Sequence, residues 1–156
     1  MVDAGKVWGA VPDTEGIRKI VGTTDIDDSA QTESTAFPIL TITPQVNRPL
    51  EDVVVMLDLA KATTGFAAVE TSVTVVFSVA RKVDGTNWRR EAINEAALSG
   101  TNAAGRMQRI NVGPVLPGED AAIYATFSGD VTADMEIPFV VYYRGAEPTV
   151  TPVAAG

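Results

Sequence analysis

From residue 37 onward the chain is built of short runs rich in β-branched and aromatic residues, separated by proline, glycine and polar residues. Such runs are typical of β-strands, and turn signals every 8–12 residues or so are typical of an antiparallel sandwich. The strand–helix alternation that builds parallel sheets is not visible. The sequence therefore predicts an all-β fold. An antiparallel β-sandwich of jelly-roll type is expected, or one with immunoglobulin-like strand order.

About seven strands are expected after residue 36, with one more near residues 17–24. The segment 50–62 fits a buried strand and a short helix about equally, and its β-branched residues favour the strand. Asp84-Gly85 predicts a two-residue type I′ turn between two strands, with Trp88 in a structural role just beyond it. The predicted strands are residues 37–43, 50–62, 71–83, 86–93, 106–112, 121–127 and 137–144.

Three parts are expected along the 156 residues: an extended N-terminal arm over 1–36, a β-sandwich domain over 37–146 and a C-terminal tail over 147–156. The arm has scattered apolar positions and frequent glycine, proline and acidic residues. It could be ordered on a neighbouring subunit, or lie on its own domain with one edge strand. Because the core residues lie mainly beyond residue 36, removal of residues 1–30 is expected to leave a folded sandwich.

Cysteine and histidine are both absent, and the formal net charge is −8. Without these residues the common triads, Cys–His dyads, zinc sites and imidazole proton shuttles are unavailable, so we expect no enzyme activity and no cofactor. The negative charge opposes nucleic acid and anionic membrane surfaces as partners. The N-terminus shows no export signal and no run is long enough to span a membrane.

The acidic residues offer two candidate sites. Asp25, Asp27 and Asp28, followed by Glu33, could bind Ca²⁺, but their spacing does not match an EF-hand loop, and a solvated acidic loop is favoured. A glycosidase needs two carboxylates facing each other across a cleft, and no pair stands out for that role. We therefore expect neither a metal site nor a small-molecule substrate.

The cationic residues are the candidate partner contacts. Arg89 and Arg90 stand beside Trp88, with Arg81 and Lys82 across the predicted turn, and form the one cationic concentration in an acidic chain. Such a group could contact an acidic protein surface, or it could be the solvated face of a hairpin. Further candidate contacts lie in the predicted arm, at Trp8, Arg18 and Lys19.

The chain combines an acidic, Cys-free and His-free β-domain and a long arm with the end EPTVTPVAAG and the stretches RINVGPVLPGEDAAIYATFSGD and IPFVVYYRG. In these features it resembles the decoration, or cement, proteins of tailed-bacteriophage capsids. The resemblance implies a sandwich on the outside of the virion capsid, made in the host cytoplasm and commonly a homotrimer. Such a protein binds the major capsid protein and stabilises the shell by bridging neighbouring subunits. The resemblance implies no catalytic residues.

Two alternatives remain open. A carbohydrate- or receptor-binding sandwich of a virion or cell surface would use aromatic side chains as stacking platforms, and an enzyme acting through carboxylates comes third. The candidate platforms are Trp8, Trp88, Tyr124, Tyr142 and Tyr143.

Overall fold

The structure is a computed structural model that describes residues 16–26, 37–59, 74–91, 98–99, 107–127 and 135–153. These residues form strands joined by turns. The strands are β1 (Ile17–Ile26), β2 (Phe37–Thr43), β3 (Leu50–Asp58), β4 (Thr74–Lys82), β5 (Arg89–Arg90), β6 (Leu98–Ser99), β7 (Met107–Asn111), β8 (Asp120–Phe127), β9 (Met135–Gly145) and β10 (Thr149–Pro152).

The strands form two sheets in which every pairing is antiparallel. Sheet I has the order β1-β9-β3-β7, and sheet II has the order β10-β2-β8-β4-β5, with β6 also paired to β4. Successive strands alternate between the sheets, apart from the local pairing of β5 and β6 with β4. The orders β1-β9-β3-β7 and β2-β8-β4-β5 are those of a jelly roll. The predicted jelly-roll sandwich is confirmed, and strand β10 extends sheet II beyond it.

The hydrophobic core lies between the two sheets. On β3 the residues Val53, Val55 and Leu57 are buried, whereas Val54 and Met56 between them are half-buried on the outer face. This alternation follows from the two-residue period of a strand. Each fully buried aliphatic side chain contributes about 1.5–3 kcal/mol relative to exposure. Sheet II supplies the opposing layer with Ile42, Leu40, Val75, Val79 and Ile123.

Several strands of the structure lie where the sequence predicts them. β2 has the predicted bounds, and the ambiguous segment that begins at Leu50 is a strand ending at Asp58. β8 begins one residue before its predicted start, and β9 begins two residues earlier and ends one residue later than predicted. Of the predicted strand over residues 86–93, positions 92 and 93 lie outside the described residues, and within 86–91 the strand β5 is limited to Arg89 and Arg90.

Both segments outside the predicted sandwich domain contribute a strand to it. β1 pairs with β9 from Ile17 to Ile26. At the end of β1 the Thr24 hydroxyl donates to the Ile39 carbonyl at 2.5 Å and accepts from the Val153 N–H at 3.1 Å. The Asp25 N–H donates to the Val153 carbonyl at 3.1 Å. These bonds join sheet I to sheet II, so truncation at residue 30 would remove a hydrogen-bonded edge strand.

The connection between β4 and β5 is not the predicted type I′ turn. That turn needs positive φ at both central residues, whereas among the described residues Gly85 has φ 75° and Asp84 does not have a positive φ. The connection is instead a longer loop closed by the Asp84 carboxylate. This carboxylate accepts from the N–H groups of Thr86 at 2.9 Å and Asn87 at 2.7 Å. An aspartate that bonds its own following backbone replaces the two-residue turn.

Candidate partner-binding surfaces

The predicted contact residues do not form one surface. Arg18 and Lys19 are exposed on β1, at one edge of sheet I, whereas Arg89 and Arg90 are exposed on β5, at an edge of sheet II. β1 lies beside β10, and β4, next to β5, lies beside β7 at the other side of the sandwich. The two basic pairs are therefore at opposite lateral edges. Trp8 lies outside the described residues.

Arg81 and Lys82, across the loop from Arg89, form ion pairs within the chain. The Arg81 guanidinium forms an ion pair with Glu91 and donates to the carbonyls of Val112 and Pro114. Lys82 forms an ion pair with Asp120 at 3.4 Å. Arg81 thus fixes the β4–β5 end to the β7–β8 connection, which is a structural role.

Trp88 folds back onto the outer face of sheet II. Its ring lies 6.1 Å from that of Tyr124, and the Lys82 ammonium lies 5.1 Å from the indole centroid. Burial raises the pKa of Tyr124, and the nearby Arg90 charge acts in the opposite direction. Because Lys82 covers the indole, Trp88 is poorly placed to stack on a sugar ring.

The other aromatic candidates differ in exposure. Tyr143 is buried in the core, and Tyr142 is 39% exposed on the outer face of sheet I. Tyr142 borders a shallow cavity of about 390 Å³ with Val54, Met56 and Arg109. Aliphatic, aromatic and charged side chains all line this cavity, which also includes Ile17, Asp52 and Arg144.

The candidate calcium segment is described only at Asp25, which lies in β1. Asp27, Asp28 and Glu33 lie outside the described residues. Across the described ranges, no three acidic side chains come together in a way that could hold a metal ion. Glu91 is paired with Arg81, and Asp120 with Lys82. Over the same ranges no helix is long and apolar enough to cross a membrane.

The end of the sandwich where β2, β4 and β7 terminate carries a surface that the sequence interpretation missed. We name residues 44–49, 83–88 and 112–119 the loop-end surface. Each of its connections exposes one large aliphatic side chain: Val46 is 85% exposed, Val83 58% and Leu116 51%. A cavity of about 560 Å³ lies between the three connections. In the sequence these residues stand among turn residues, so no periodic pattern signals them.

The connections of the loop-end surface are held by local bonds. Asn47 has φ 60°, and the Arg48 N–H donates to the Gln45 carbonyl at 3.1 Å. Gly113 and Gly118 have φ of 82° and 85°. The N–H and carbonyl of Val115 are both bonded to Leu50, each at 2.9 Å. Such backbone restraints reduce the ordering entropy that a binding partner has to overcome.

No family model and no curated protein matches the chain. Among solved structures it is similar to the N-terminal endo-1,4-β-D-xylanase 10B of Clostridium thermocellum, in a structure of the CBM22-1 and GH10 modules complexed with xylohexaose. The identity is 13% over 91% of this chain, with a TM-score of 0.37, and the chain spans 28% of the length of that protein. The jelly-roll assignment rests on the strand order of this chain itself.

Proposed function

We propose that this protein is a non-catalytic structural protein that attaches to the outside of a viral capsid and stabilises the shell by bridging neighbouring capsid subunits. The capsid as partner comes from the resemblance to cement proteins. The loop-end surface is the proposed attachment site.

One observation carries the choice of this surface. Val46, Val83 and Leu116 are on three separate connections, and more than half of each side chain is exposed. Exposed aliphatic groups on three connections at the same end of a domain offer apolar surface of the kind that protein contacts use. Since the connections are restrained by backbone bonds, the aliphatic groups are presented with little loss of conformational entropy on binding.

The test is rebinding of the purified chain to particles stripped of it, measured by co-sedimentation. Leu116→Asp and Val83→Asp are each expected to weaken binding by about ten-fold or more, because a charge would be desolvated at the contact. Both side chains are exposed, so the thermal unfolding midpoint should change little. Val153→Asp, an exposed aliphatic position outside the loop-end surface, is the matched control.

Unchanged rebinding of both loop-end variants would contradict the proposed attachment site. The carbohydrate-binding alternative predicts a different result when glycan binding and particle binding are both measured. Saturable binding of a glycan that is lost in Tyr142→Ala, with particle binding absent, would favour a carbohydrate-binding module and overturn the capsid proposal.

A further inference from the structure

The cavity on the outer face of sheet I lies where residues 1–15 join the sandwich. Ile17, the first residue of β1, lines this cavity together with Val54, Met56 and Tyr142. A Cβ added at Gly16 would lie 3.2 Å from the guanidinium of Arg144, which also lines the cavity. The chain that precedes β1 is therefore attached at the rim of the cavity.

The cavity carries more cationic than anionic side chains. Arg109 and Arg144 line it, and Lys19 is the register partner of Tyr142. Asp52 also lines it and contacts Arg144 at 3.5 Å, but the Asp52 side chain is 73% exposed, so this ion pair contributes little. Among the described residues, no ion pair involves Lys19 or Arg109. Acidic side chains are therefore complementary to the cavity.

The other carboxylates of this face lie outside the cavity. Glu51 is exposed at the start of β3 and does not line it. Asp58 pairs with Met107, one row beyond Arg109, and the row of Asp25 and Glu136 lies at the far end of the face. The excess of positive charge at the cavity is therefore not balanced by its own lining.

The cavity also offers apolar surface. Val54 and Met56 are half-buried on β3, Ile17 is 51% exposed and Tyr142 is 39% exposed. The volume of about 390 Å³ is within the range of binding clefts. An occupant with both apolar and acidic side chains would suit this cavity.

Residues 1–15 have that composition. Their acidic residues are Asp3, Asp13 and Glu15, against the single basic residue Lys6. Their larger apolar residues include Val7, Trp8 and Val11. The segment attached at the rim is thus complementary to the cavity in charge and supplies apolar side chains for its floor.

The acidic residues of this segment are within reach of the cations. Asp13 is four residues before Ile17, and four extended residues span about 13 Å. Arg109 is on β7, three strand spacings of about 4.8 Å from β1. The Arg109 Nε donates to Asn111 Oδ1 at 3.3 Å, which turns the guanidinium toward the Ile17 end of the face.

We propose that residues 7–15 fold back onto the outer face of sheet I of the same chain, with apolar side chains against Val54 and Met56 and the Asp13 carboxylate beside the Arg109 guanidinium. Of the two places expected for the arm, this one is its own domain. The covalent connection gives an effective concentration in the millimolar range, so the segment of the same chain is favoured over that of a second copy. The contact is separate from the attachment proposed above, because the cavity lining and the loop-end surface share no residue.

The test is the heteronuclear {1H}–15N NOE of the full chain at residues 7–15, which reports motion on the picosecond to nanosecond timescale. In the parent chain these values are expected to approach those of β1. Arg109→Glu should lower them to those of a free chain, because like charges then face each other. Met56→Asp should do the same, because a carboxylate then stands on the apolar floor. Values at residues 17–26 should not change, which would show that sheet I is intact.

Charge reversal gives a result that a structural defect would not produce. Asp13→Arg alone should release the segment, whereas Asp13→Arg combined with Arg109→Glu should restore its order, since the pair of charges is then exchanged. Arg48→Glu and Val46→Asp, both on the loop-end surface, are the matched controls and should leave the segment ordered.

Three results would overturn this inference. Free-chain NOE values in the parent, or unchanged values in both cavity variants, would mean that residues 7–15 do not occupy the cavity. Failure of the exchanged pair to restore order would contradict the contact between Asp13 and Arg109. Order that is lost on dilution, together with a dimer in sedimentation velocity, would assign the cavity to the segment of a second copy.

Discussion

Gly145 shows at the scale of one residue how the backbone joins β9 to β3. Its φ is 123°, and a Cβ added there would lie 2.7 Å from the Pro49 carbonyl oxygen. That φ belongs to a region that side chains other than glycine rarely enter. Gly85 also has a positive φ, 75°, but no atom lies within 4 Å of a Cβ added there. The two glycines therefore share the sign of φ and differ in the room available for a side chain.

Gly145→Ala is therefore expected to lower the free energy of unfolding by about 2–4 kcal/mol, through backbone strain and the clash with Pro49. Gly85→Ala is the matched control and should cost about 1 kcal/mol, because only the left-handed conformation is penalised. Urea unfolding of both variants gives the comparison. Equal losses would show that the close approach to Pro49 does not matter.

Asp84 gives a pH-dependent prediction. Hydrogen bonds from Asn87 and then Thr86 lower the pKa of its carboxyl from 3.8 to about 2. Since the folded pKa is lower than the unfolded one, the contribution to stability is complete above the unfolded value and is lost as pH falls through about 2. The Asp84 carboxyl should titrate by NMR with a midpoint near 2, and the stability difference between the parent and Asp84→Ala should shrink below about pH 4. A midpoint near 3.8 would mean that the loop is open in solution.

At the scale of elements, a strand was predicted near residues 17–24, and the structure has β1 at Ile17–Ile26. The residues of β1 on the inner side of sheet I are Ile20, Gly22 and Thr24, which give a weak apolar signal. Gly22 is needed because an added Cβ would lie 2.7 Å from the Phe139 ring. β10 was not predicted, because Thr149–Pro152 contains one large apolar residue, Val150.

β2 was predictable because its sequence alone indicates where the strand ends. Its apolar run is continuous and Pro44 stops it, so local chemistry and tertiary pairing agree. The loop-end surface was not predictable, because it requires three distant connections to meet. Lys19 was predicted as a partner contact, but which residues lie beside it depends on the register of β1 against β9.

Removal of residues 1–30 is now expected to destabilise the sandwich. The truncation deletes β1 and leaves the Ile39 carbonyl and the Val153 N–H without the Thr24 hydroxyl. Buried groups left unpaired cost about 1–3 kcal/mol, and the lost strand adds to this. A chain lacking only residues 1–14 keeps β1 and is the control. Thermal melts that coincide for both truncations would show that β1 contributes nothing to stability.

At the scale of the whole molecule, the jelly-roll sandwich carries the proposed attachment site, the loop-end surface, at one end of its two sheets. The loop-end surface has restrained connections and exposed aliphatic groups, which suit attachment.

Electron cryomicroscopy of the native particle tests the central claim most directly. We expect the sandwich on the outside of the capsid shell, with residues 44–49, 83–88 and 112–119 in contact with capsid protein. A particle in which these residues face solvent, or in which the sandwich is held by another surface, would contradict the attachment proposed for this protein.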